Sequence, residues 1–129
     1  MQKLSLQEIA KNTLTLEANS ILELHDFIND EFEKIVQLLL QTKGRLVISG
    51  IGKSAIIGQK IVATLNSTGT PSTFMHAADA IHGDLGMIRE DDVVMIISKS
   101  GESPEIKVLV TLIQNLGNSL IAMVGKIPS

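Results

Sequence analysis

An α/β protein built on a parallel sheet is the fold class this sequence predicts. Three observations predict it. Short apolar runs rich in β-branched residues recur after Gly44, at residues 45–49, 93–97 and 119–124. Segments of helical periodicity separate them. The run 93–97 is continuous rather than alternating, as a strand buried on both faces requires. Strands alternating with helices imply parallel pairing through right-handed crossovers.

The elements follow in order. Residues 1–43 contain neither glycine nor proline and read as an N-terminal helical segment packing on the domain that follows. Ser5 and Glu8 form a capping-box pattern. Leu6, Ile9, Ala10, Thr13, Leu16, Ser20 and Leu24 recur at helical spacing, and Phe27, Glu31, Ile35, Leu38 and Leu39 supply a second period. One long helix, or two joined near Asn29, is expected to end at Lys43-Gly44. Residues 44–129 form the second region. A strand at 45–49 ends in Gly50. A helix at 53–66 follows, with Ile56, Ile57, Lys60, Ile61 and Leu65 as its face. A strand at 72–75 follows the Gly69-Thr70-Pro71 turn. A short helical piece spans 77–82. After the strand at 93–97 comes a helix at 105–116, stopped by Gly117. The run 119–124 is expected to be another buried strand.

With 129 residues, the chain is one ordinary domain, able to bury roughly two-thirds of its unfolded surface. Its 44% hydrophobic and 19% charged content argues for a packed core and against disorder. The net charge of −3, without a basic block, disfavours nucleic acid and anionic membranes as partners. Tryptophan and tyrosine are absent, which removes base-stacking platforms. Cysteine is absent too, which removes disulfides, thiolate metal sites and thiol nucleophiles, and fits a reducing compartment. No signal peptide or spanning segment is evident, so a cytoplasmic protein is expected.

Ligands of open α/β sheets bind beyond the carboxyl ends of the strands. Two strand-to-helix loops there carry chemistry. In Ser49-Gly50-Ile51-Gly52-Lys53-Ser54, the glycines allow close approach, Lys53 adds a charge and Ser54 a hydroxyl. The loop is not a phosphate-binding loop of nucleotide hydrolases, because Val47 stands where that motif needs its first glycine. In Ser98-Lys99-Ser100-Gly101-Glu102-Ser103, three hydroxyls and a lysine converge at a helix start, a composition suited to phosphate. Taken singly, the first loop reads as a tight turn. The second reads as a helix cap, with Ser103 capping and Glu105 complementing the dipole. A third segment, residues 74–86, holds His76 and His82. Six residues apart, they do not share a helical face, so no zinc pair is indicated. His82 is a candidate acid or base near neutral pH, or a histidine that caps or bridges loops. His25 reads as surface.

Gly50-Ile51-Gly52-Lys53-Ser54, Ser67-Thr68-Gly69-Thr70-Pro71, His82-Gly83-Asp84-Leu85-Gly86 and Ser98-Lys99-Ser100-Gly101-Glu102-Ser103, in that order and spacing, resemble a sugar isomerase (SIS) domain, specifically its D-arabinose 5-phosphate isomerase branch. The resemblance implies a flavodoxin-like three-layer sandwich. It implies phosphate binding by Gly52, Ser54, Ser98, Lys99, Ser100, Gly101 and Ser103, and functional roles for Lys53, His82 and Glu105. It implies interconversion of D-ribulose 5-phosphate and D-arabinose 5-phosphate for Kdo in lipopolysaccharide biosynthesis, without metal or cofactor, in a homotetramer. Lys99 stands where many members carry Asn or Gln. Members continue to a second glutamate and a His-Pro-Gly-Gly segment, and many carry paired CBS modules; none of these falls within the 129 residues. We therefore expect that a tail completes the catalytic set.

Aldose–ketose isomerisation through an enediol needs a base at carbon, an acid–base group at the oxygens and stabilisation of the enediolate. Lys53 suits the charge, His82 ring opening or polarisation of an oxygen, and Glu105 a carboxylate role or the orientation of Lys53. Two alternatives stand beside this reading. One is a non-catalytic domain that senses a sugar phosphate or nucleotide sugar. The other is a hexulose 6-phosphate isomerase, ranked lower because of His82-Gly83-Asp84.

Overall fold

The computed structural model describes residues 2–125, with two compact units, Met1–Gln37 and Leu38–Ser129. In the first unit, helix α1 (Leu6–Glu23) begins with the expected capping box. Ser5 Oγ accepts from Glu8 N–H at 3.1 Å, and Glu8 Oε2 accepts from Ser5 N–H at 2.7 Å. The Ser5 backbone N–H first, and the Ser5 hydroxyl second, hold the Glu8 carboxyl below its ordinary pKa. A 3-10 turn (Leu24–Phe27) separates α1 from α2 (Asp30–Gln41), and Asn29 Oδ1 accepts from Phe32 N–H at 3.1 Å. The break near Asn29 is therefore real. Helix α2 ends at Gln41, before Lys43-Gly44, and Gly44 serves a close approach. A Cβ there would collide with the Asp91 carbonyl oxygen.

The second unit contains four parallel strands in the order β2-β1-β3-β4: β1 (Leu46–Gly50), β2 (Ser72–His76), β3 (Val93–Ser98) and β4 (Leu120–Val124). Helix α3 (Lys53–Ser67) covers one face. Helices α4 (Ala77–Ile81) and α5 (Pro104–Leu116) cover the other, completing the three layers. Alternation along the strands decides which residue meets which helix. Val47, Met75, Val94 and Ile96 pack with Ile106, Leu109 and Ile113 of α5. Ile48 and Phe74 face Gly58 of α3.

Two expectations fail. The buried face of α3 is not built on Ile56 and Ile57, which are 66% and 56% exposed, but on Ala55 and Gly58. The helix lies so close to the sheet that a Cβ at Gly58 would meet Ile48 Cγ2 at 3.1 Å and the Phe74 ring at 3.2 Å. Small residues make that contact, and the large ones are turned outward. Among the described residues β4 is the outermost strand on its side of the sheet and is not buried on both faces. Ile121 is inside, whereas Ala122 and Met123 are exposed.

At the amino ends of the strands, Asp92 forms a knot. Its carboxylate, with no exposed side-chain surface, accepts from Arg45 Nη2 at 2.8 Å and from the backbone N–H groups of Arg45 (2.9 Å) and Arg89 (2.8 Å). Arg45 Nη2 also donates to the Met87 carbonyl at 2.9 Å. Burial raises the Asp92 pKa, but Arg45 and the backbone donors outweigh it and hold the carboxyl below its ordinary value.

Candidate functional site

The strand order reverses between β1 and β3. The chain leaves β1 toward β2 on one side, and β3 and β4 extend the sheet on the other. A crevice at the carboxyl ends of two such strands is where open α/β sheets bind ligands. Here the crevice is a cleft of about 490 Å³. Its walls come from Ile51 after β1, Ser54 in the first turn of α3, Ser98 at the end of β3 and the loop that follows it (Lys99, Ser100, Ser103), with Ile97 and Gly125 closing it. That volume is in the range of small-molecule sites.

Both loops are shaped by residues that can take a left-handed backbone. Gly52 is at φ 62° before α3, and Gly101 at φ 69° in the serine loop. Within the serine loop, Ser98 Oγ accepts from Gly101 N–H at 3.0 Å and Ser100 Oγ from Glu102 N–H at 3.1 Å. Accepting in the loop leaves each hydroxyl its own O–H to donate. Ser103 occupies the N-cap of α5 but makes no side-chain capping bond. Its hydroxyl is therefore not committed to the helix. Pro104 occupies the first turn, and the nearby helix start favours an anion. Hydroxyl donors, Lys99 and two helix starts can together hold a phosphate, a tetrahedral dianion needing several donors.

Of the residues singled out from the sequence, Ser54, Ser98, Lys99, Ser100 and Ser103 come together in the cleft. Gly52 and Gly101 shape its loops. Lys53, His82 and Glu105 are not on its wall. Lys53 is the exposed first residue of α3, and Glu105 is half-buried in the first turn of α5. His82 is the exposed C-cap residue of α4, which follows edge strand β2. The capping histidine of this segment is His76, whose Nδ1 accepts from Ala78 N–H at 3.2 Å. Sequence reading missed Ile51, Ile97 and Gly125. The first two looked like strand and loop filler, and Gly125 looked like a strand stop.

This is an open parallel α/β domain with a phosphate-suited cleft at its topological switch point. The chain belongs to the SIS domain family, which matches residues 38–129. Among its relatives, arabinose 5-phosphate isomerase KdsD of Pseudomonas aeruginosa is 50% identical over 124 residues, covering 96% of this chain. Arabinose 5-phosphate isomerase GutQ of Escherichia coli K12 is 43% identical over 122 residues, covering 95%. The chain spans 38% of the length of each. The solved structure of c3406 from E. coli CFT073, in complex with arabinose 5-phosphate, matches with a TM-score of 0.91 at 40% identity, covering 100% of this chain and 69% of that one.

Proposed function

We propose that this chain is the sugar-phosphate-binding part of an aldose–ketose isomerase that interconverts D-ribulose 5-phosphate and D-arabinose 5-phosphate. The observation that carries the reading is the convergence of Ser54, Ser98, Lys99, Ser100 and Ser103 in one cleft at the β1/β3 switch. Two arabinose 5-phosphate isomerases at 43–50% identity and a fold match to an arabinose 5-phosphate complex support it. The serine loop holds the 5-phosphate. Proton transfer between C1 and C2 then proceeds through an enediol. Lys53 neutralises developing charge, His82 serves an oxygen or ring opening, and Glu105 acts as a carboxylate or orients Lys53. The product would feed synthesis of Kdo in lipopolysaccharide. No helix among the described residues is long and apolar enough to cross a membrane. A cysteine-free chain suits the cytoplasm. Exposed Ile56 and Ile57 on α3 suit assembly into a homotetramer.

The position of Lys53, His82 and Glu105 outside the cleft wall favours one second reading, a domain that binds the sugar phosphate or a nucleotide sugar without turning it over. Mixing the 129-residue chain with D-ribulose 5-phosphate in deuterium oxide tests the first. Exchange at C1 and C2 with formation of D-arabinose 5-phosphate, read by proton NMR, is the expected result for an isomerase. Binding without exchange means a binding domain whose catalytic set is completed outside these residues or was never there.

A further inference from the structure

The serine loop has little of its own to hold it in place. The bonds from Gly101 to Ser98 and from Glu102 to Ser100 fix its local turns, not its position against the sheet. Among the described residues, contacts from the end of β4 and from α5 do that. On one side, Gly125 N–H, just past β4, donates to the Lys99 carbonyl oxygen at 3.0 Å. On the other, Lys107 Nζ of α5 is 2.6 Å from the Glu102 carboxylate. The ion pair is more than half exposed and holds loosely. The Gly125 contact is different in kind. A Cβ at Gly125 would stand 2.9 Å from the Lys99 carbonyl oxygen and 3.5 Å from Lys99 Cγ. The obstructing atom is backbone and already bonded to Gly125, so it cannot swing aside as a side-chain tip would. Gly125 is not among the residues at positive φ. Its backbone conformation is open to any residue, and only the close approach calls for glycine.

We propose that Gly125 is a positioning residue for the cleft, pinning the serine loop at Lys99 while the Glu102–Lys107 pair steadies its far side. The inference rests on the reading of this cleft as the phosphate site. Any side chain at 125 pushes the Lys99 carbonyl, and the loop with it, by a few tenths of an ångström away from β4. Displacements of that order spoil several convergent hydrogen bonds at once, because all the donors share one loop.

Calorimetric titration of D-arabinose 5-phosphate and of inorganic phosphate into the wild type, Gly125→Ala and Ser100→Ala tests it. The expected result is binding by the wild type, weakened about tenfold by Gly125→Ala at a temperature where the variant is still folded. A purely structural glycine would lower the melting temperature and leave affinity alone. If Ser100→Ala weakens binding and a well-folded Gly125→Ala matches the wild type, the clamp is wrong and the phosphate site stands. If the wild type binds neither ligand, or Ser100→Ala binds as the wild type does, both fall. Should Gly125→Ala melt low, the titration is run below its melting transition, and affinity equal to the wild type's there overturns the proposal.

Discussion

Ser103 shows how a residue's two readings separate. A serine at an N-cap normally accepts from a helix N–H, and its replacement by alanine costs about 1 kcal/mol. Ser103 makes no such bond, yet lines the cleft. Ser103→Ala is therefore expected to leave the melting temperature unchanged and to weaken phosphate binding about tenfold, the loss of one charge-assisted hydrogen bond. A lowered melting point with intact affinity would return Ser103 to a capping role. Asp92 is the opposite case, a carboxylate with a structural function and no place in the cleft. Its folded pKa lies below the unfolded value, so the folded state binds fewer protons in acid. The stability it contributes is fully present above about pH 4 and disappears as the pH falls through the lower folded value. Removing it by Asp92→Asn strands Arg45 and should cost about 3 kcal/mol at pH 7, roughly 10 °C of melting temperature. The gap between the two proteins' melting temperatures should be constant above about pH 4 and narrow as the pH is lowered stepwise below it. A gap that widens in acid would refute the assignment. Residue types made the serine cluster legible, because hydroxyls and a lysine in six positions have few other uses. Asp92 was not legible: its partner Arg45 is 47 residues away and only the β1–β3 register joins them.

Helix α3 carries the lesson at the level of elements. Its existence followed from its start after Gly52 and its periodicity, but its orientation did not. A helix is usually turned by its largest apolar residues. Here a glycine and an alanine face the sheet, because Ile48 and Phe74 already fill the space from below. Only the strand side chains reveal that, and they belong to other elements. The same mechanism predicts the sign of Gly58→Ala. In an exposed helix the change gains about 1 kcal/mol. At Gly58 the added methyl meets a γ-methyl and an aromatic ring at 3.1–3.2 Å, and overpacking of this kind costs about 2 kcal/mol. Net destabilisation of about 1 kcal/mol is expected from urea unfolding, and a stabilised variant would show that α3 can move off the sheet.

Across the whole molecule, parallel topology was readable because alternating strands and helices leave few alternatives. Its switch point was readable too, since two chemically unusual loops both follow strands. Assembly is harder to read, because an outward-facing isoleucine looks like a core isoleucine until the helix is placed. Exposed Ile56 and Ile57 now stand as adjacent large apolar side chains on the solvent face of α3. Isolated exposed apolar residues are ordinary, but paired isoleucines turned out while glycine and alanine are turned in mark a surface suited to association. Burying each would contribute about 1.5–3 kcal/mol. Replacing both by glutamate removes that gain and places two charges where water is excluded. Association of copies through this face should then weaken by at least about a hundredfold. Sedimentation of the wild type at micromolar concentration should show an oligomer, and the Ile56→Glu, Ile57→Glu protein a smaller species. Because both side chains already face solvent within one copy, the dilute variant should keep its circular dichroism. A wild type that sediments as a monomer at all concentrations, or a double variant that associates as tightly, would remove α3 from the interface.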